Sequence, residues 1–88
     1  MAYRVLTSPA ARRDLKRIRG PARRRIAETI DALADSPRPP GCAKLAGADD
    51  LYRVRVGDYR IVYAIQDDRL IVLVVRVGNR KDVYRDGG

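Results

Sequence analysis

Three arginines crowd a short stretch whose alternation would put them on one side of a strand pair. In Leu51-Tyr52-Arg53-Val54-Arg55-Val56-Gly57-Asp58-Tyr59-Arg60-Ile61-Val62-Tyr63, Tyr52, Val54 and Val56 share one face while Leu51, Arg53 and Arg55 share the other. Gly57-Asp58 has the composition of a two-residue hairpin turn. With that turn, Val56 opposes Tyr59 and Arg55 opposes Arg60, so Arg53, Arg55 and Arg60 emerge together. Directly opposed like charges destabilise a sheet, and a phosphate-bearing ligand would relieve the repulsion. The plain structural alternative is that an exposed strand face carries charge and that arginine stems cover apolar neighbours such as Val62.

A second cluster follows, Gly78-Asn79-Arg80-Lys81-Asp82-Val83-Tyr84-Arg85. A tyrosine beside arginines offers a platform for stacking a base with clamps for its phosphates, the usual chemistry of single-stranded RNA recognition. The same tyrosine could equally pack on a sheet edge. Strict alternation from a tight Asp67-Asp68 turn would put Arg80 on the face opposite Arg60. Uniting the two clusters therefore requires Gly78 to act as a bulge or bend.

The elements that must carry these residues can be read from the rest of the chain. Residues 3–7 read as a strand, and Ser8-Pro9 supplies an N-cap followed by proline at the first helical position. Ala11, Leu15 and Ile18 then fall at helical spacing to about residue 19. Gly20-Pro21 closes that helix and opens a second, to about residue 35, with Ile26, Ile30 and Leu33 on one face, so the two form a helical hairpin with a shared apolar seam. The prolines of residues 36–41 force an extended connection leading through Lys44-Leu45-Ala46-Gly47. After it come strands at 51–56, 59–66 and 69–77, the last apolar on both faces and so expected at the centre of the sheet. The order β-α-α-β-β-β gives an α+β fold, a small antiparallel-dominated sheet with the helical hairpin on one face.

Eighty-eight residues suit one domain spanning 1–88, with function on a surface or in a shallow cleft. The chain has 19 Lys plus Arg against 11 Asp plus Glu, a net charge of +8, which points to a polyanionic partner. The excess lies in residues 1–25, with nine bases and one acid, Asp14; the remainder is balanced. Arg12, Arg13, Lys16, Arg17, Arg23 and Arg24 thus form a basic helical surface, with Lys44 and Lys81 as further candidate RNA contacts. It is either an RNA-docking surface that releases counterions or the solvated side of two amphipathic helices. Cys42 is the single cysteine and there is no histidine, so internal disulfides, zinc-finger ligand sets and Ser-His or Cys-His catalysis are excluded. No apolar run is long enough for a membrane span, and the opening residues lack a signal peptide's apolar core, so a cytoplasmic protein is expected, with neither membrane partner, metal nor cofactor.

The block at 51–63, Val-Val-Arg-Val-Gly-Asn-Arg at 74–80 and Val-Tyr at 83–84 resemble the RelE toxins of the RelE/ParE superfamily. The likeness extends to the opening Tyr3-Arg4-Val5, to Ser36-Pro37 and to the Lys44–Gly47 segment. Within the superfamily the arginines and the late tyrosine favour RelE over ParE. The resemblance implies a type II toxin that enters the ribosomal A site and cleaves mRNA, leaving a 2′,3′-cyclic phosphate and a 5′-hydroxyl. It also implies an acidic RelB-like antitoxin, contacts with rRNA and mRNA, and an antitoxin-mediated complex with operator DNA. Carried over residue by residue, Arg60 and Arg80 contact phosphate and the transition state, and Tyr84 stacks a nucleotide. Arg53 and Arg55 stand where relatives usually carry lysines. A guanidinium is a poor general base, so these two are assigned either phosphate positioning or proton transfer. Two other functions fit parts of the sequence: a ParE-like toxin that inhibits DNA gyrase by protein binding, and a non-catalytic RNA-binding domain.

Overall fold

Ser8 ends the first strand and starts the first helix. In the computed structural model, which describes residues 2–47 and 49–79, β1 is Arg4–Thr7 and α1 is Pro9–Arg17. Extended Ser8 accepts the Ala11 N–H on Oγ at 3.0 Å, and Pro9 occupies the first turn, where no N–H is needed. Gly20, at φ 72°, makes the sharp reversal into α2, Pro21–Ala32, a left-handed conformation that suits glycine.

The sheet has five strands in the order β1-β5-β4-β3-β2, where β2 is Ala43–Lys44, β3 Leu51–Val56, β4 Tyr59–Gln66 and β5 Ile71–Asn79. β1 runs parallel to β5 and the other pairs are antiparallel. The expected order gains one strand, β2, a two-residue edge pairing Ala43 with Arg53 and Lys44 with Tyr52. Two ladder pairs are too short to leave a periodic signal, which is why this stretch reads as a connection. β5 lies inside the sheet between β1 and β4, although β4 is the middle strand.

One face of the sheet meets the helices. Val54, Ile61, Tyr63, Ile65, Val72, Val74 and Val77 from the strands pack with Ala11, Ile18, Ile26, Ile30 and Leu33 from the helices in one cluster. Their burial drives the association, at about 1.5–3 kcal/mol for each fully buried aliphatic side chain. Asp14 sits in the same helical seam at only 8% exposure. It pairs with Arg76, whose Nε donates to Oδ2 at 2.9 Å and Nη2 to Oδ1 at 3.3 Å.

The proline-rich connection is tied down by a polar clamp. Arg38 donates to both carboxylate oxygens of Asp67, at 2.8 and 3.3 Å, and lies 5.2 Å from the Tyr52 ring centroid. The Tyr3 hydroxyl donates to Asp67 Oδ1 at 2.7 Å. These hydrogen bonds, Arg38's first, hold the Asp67 carboxyl below the usual carboxylate range. The Tyr63 hydroxyl, pushed up chiefly by burial, donates to the Pro37 carbonyl at 2.8 Å. The clamp lies at the β4–β5 turn and the connection, away from the hairpin arginines.

Candidate functional site

The β3–β4 hairpin has the register that its turn composition predicts. Gly57, at φ 59°, takes the first central position, where a type II′ turn requires a positive φ. Val56 then opposes Tyr59, Arg55 opposes Arg60 and Arg53 opposes Val62. Because Val54 and Ile61 face the helices, the three arginines stand on the opposite face, which no helix among the described residues covers.

Burial separates these arginines. Arg55 is exposed, Arg53 is half-buried, and Arg60 is 6% exposed. A buried guanidinium is costly unless its charge is met, so Arg60 is held in place rather than waving in solvent. The resulting row offers planar, multiply donating groups suited to phosphate oxygens.

Gly78, the first residue of the second cluster, comes opposite Arg60 by a different route from the one the sequence implies. β5 pairs Arg76 with Val62 but Val74 with Tyr63, so the ladder slips by one residue at Val75. Gly78 is an ordinary ladder residue opposite Arg60. The expected bulge at Gly78 is thus corrected to Val75, and β5 continues to Asn79. The β4–β5 turn also differs, spanning residues 67–70, with Leu70 at φ 55°. Lengthening a turn from two residues to four leaves the facing parity unchanged; the one-residue slip reverses it. Arg80, Lys81 and Tyr84 lie outside the described residues.

The remaining candidate contacts lie elsewhere. Arg12, Arg13, Lys16 and Arg17 on α1 and Arg23 and Arg24 on α2 are all exposed, on the helical side of the sheet. Arg12 is partly engaged, donating through Nη1 to the Thr7 carbonyl at 2.7 Å. Lys44 opposes Tyr52 at the sheet edge and so shares its side, not that of the arginines. Sequence reasoning missed an apolar row on the arginine face, Leu51–Ala64–Leu73–Leu6, each opposite the next across four strands. The signal was available in the alternation, but the arginines masked it.

Comparison with known proteins places this arrangement. Residues 5–84 match the family described as ParE toxin of type II toxin-antitoxin system, parDE. The chain belongs to the RelE/ParE superfamily of type II toxins. Toxin RelG of Mycobacterium tuberculosis is 35% identical over 91 residues, covering 97% of this chain and 99% of that protein. The mRNA interferase toxin RelE of Escherichia coli strain K12 is 28% identical over 90 residues, with 98% and 94% covered. The archaeal RelE–RelB complex from Pyrococcus horikoshii OT3 contains a chain superposing with a TM-score of 0.80 at 30% identity, covering 91% of this toxin and 97% of that chain. The mixed α+β fold is therefore that of the RelE toxins. Among the described residues no helix is long and apolar enough to cross a membrane.

Proposed function

We propose that this toxin is a ribosome-dependent mRNA endonuclease acting through the arginine face of its sheet. The observation that carries the reading is the cross-strand set Arg53, Arg55 and Arg60 on the face opposite the helices, with Arg60 buried. Similarity to an mRNA interferase, spanning 98% of this chain and 94% of that protein, supports it.

The reaction is an internal transfer. The ribose 2′-oxygen attacks the adjacent phosphorus, the bond from phosphorus to the 5′-oxygen breaks, the 2′-proton leaves and the departing oxygen gains a proton. A 2′,3′-cyclic phosphate and a 5′-hydroxyl result, with no water consumed. The transition state carries more negative charge on its non-bridging oxygens than the ground state, and pre-placed guanidinium groups favour it. Arg60 serves this role, with Arg80 as its partner; Arg53 and Arg55 position the phosphate or pass protons; Tyr84 stacks the nucleotide to be cut. Holding the sugar in line supplies much of the remaining acceleration, which lets a site without histidine work. In this reading no metal ion or cofactor takes part.

The helical bases give the toxin a salt-dependent hold on rRNA. The arginine row beside the apolar row Leu51–Ala64–Leu73–Leu6 fits a partner segment bearing both acidic and apolar side chains, as an acidic RelB-like antitoxin in the same cytoplasm would. That antitoxin would carry the complex to operator DNA. The test is to add the toxin to programmed ribosomes and map mRNA 5′ ends, with a gyrase supercoiling assay alongside. A-site cuts ending in a 5′-hydroxyl are expected. Intact mRNA with blocked supercoiling would establish the gyrase-directed reading instead, and binding without either effect the non-catalytic one.

A further inference from the structure

We propose that Asp14 is a positioning residue whose carboxylate sets the strand register that places Gly78 opposite Arg60 on the arginine face. The inference rests on the proposed function for its activity readout alone.

β5 loses its parallel neighbour at the point where it slips. The last pair with β1 is Thr7 with Val74, and the Ser8 N–H still donates to the Val74 carbonyl at 2.9 Å. The next three residues meet α1 and its cap instead of a strand. Ser8 Oγ donates to the Val75 carbonyl at 2.7 Å, Arg76 pairs with Asp14, and the Val77 N–H donates to Asp14 Oδ2 at 2.9 Å. Extra residues in a ladder leave backbone groups that must find partners, and here the Val75 carbonyl and the Val77 N–H find theirs on two side chains.

The slip decides which residues face which way. With it, Val77 opposes Ile61 in the core at 2% exposure, and Gly78 opposes Arg60. Without it, Val77 would oppose Arg60 on the arginine face, and Gly78 and Asn79 would change sides. Asp14 adds no apolar burial to the seam of Ala11 and Ile18 between which it sits. Its charge-assisted hydrogen bonds to Arg76 and to the Val77 backbone act directly beside the slip. An apolar residue there could fill the space but could hold neither group, and a neutral amide would keep an acceptor without the charge facing Arg76.

The experiment uses isotope-labelled full-length toxin, with cross-strand NOEs reporting register and single-turnover cleavage on ribosomes reporting rate per folded molecule. Wild type should connect Arg60 with Gly78. Asp14→Ala should lose that contact in favour of Arg60 with Val77 and cleave roughly 10- to 100-fold more slowly, as expected for misplaced groups, with ribosome affinity retained. Retention of the Arg60–Gly78 contact, whatever the rate, overturns the proposal, and so does a changed register with an unchanged rate. Should Asp14→Ala not fold, Asp14→Asn keeps an acceptor for Val77 but removes the charge facing Arg76. It should weaken the Arg60–Gly78 contact and the rate together, and wild-type values of either overturn the proposal. A wild-type toxin that cuts no mRNA would sink the proposed function while leaving the register measurement to decide on its own.

Discussion

The two sides of this sheet are both basic, yet they use charge differently. On the helical side, Arg12, Arg13, Lys16, Arg17, Arg23 and Arg24 are all exposed and belong to the segment, residues 1–25, that holds the net charge. On the other side Arg53, Arg55 and Arg60 belong to a segment of zero net charge, but two of them oppose each other across a ladder and one is buried. Exposed charges are screened and individually weak. Charges fixed at low exposure act in a lower effective dielectric and need no reorganisation when a reaction develops charge beside them. In the proposed function, the number of bases therefore marks where RNA is held, and their confinement marks where chemistry is done.

The largest effect expected is on the confined side. Arg60→Ala should slow single-turnover mRNA cleavage about 100- to 1,000-fold, the loss typical of removing one preorganised transition-state donor. Arg55→Ala, which truncates an exposed group, should lose less, and equal losses would break the link between burial and catalysis.

Next comes the core that holds both sides in place. Ile26→Ala empties a fully buried position between α2 and the sheet and should destabilise the toxin by about 3 kcal/mol in urea unfolding. Cleavage per folded molecule should stay unchanged, since the Ile26 side chain is buried in the core and belongs to neither basic set. A smaller loss, about 1 kcal/mol by the same measurement, is expected for Tyr63→Phe, which removes the hydrogen bond to the Pro37 carbonyl.

The smallest effect concerns the clamp, which serves neither basic surface. Asp67 has a folded-state pKa held below its unfolded value, so its contribution is present above the ordinary carboxylate pKa, near 4, and disappears as pH falls through the lower folded value. Thermal melts of wild type and Asp67→Asn should therefore differ slightly at neutral pH and converge in acid. A gap that persists at the acid end would assign the clamp's effect to something other than Asp67 ionisation.

What the sequence revealed follows from how local each cause is. Ser8-Pro9, Gly20-Pro21 and Gly57-Asp58 act within a turn, so both helix starts and the Arg55–Arg60 opposition could be read directly. The second helix was expected to reach about residue 35 but ends at Ala32, because residues 33–35 turn toward the proline-rich connection. The slip at Val75 had no local signature: it lies in a run of valines, and its partners Ser8 and Asp14 are more than sixty positions away. Gly78 drew the bulge assignment only because glycine is the residue that usually marks one. Asp14, one acid among nine bases, drew no assignment from the sequence, since nothing in the helix itself announces Arg76 across the fold.

The most direct test of the division between the two sides is the single-turnover cleavage rate measured against ribosome concentration for two variants in parallel. Arg55→Ala/Arg60→Ala should lose the saturating rate while half-saturating at the wild-type ribosome concentration. Arg13→Gln/Arg17→Gln/Arg23→Gln/Arg24→Gln should keep the saturating rate, need more ribosomes to reach it and show a weaker dependence on salt. The opposite assignment, with the helical variant losing the saturating rate and the sheet variant keeping it, would contradict the account.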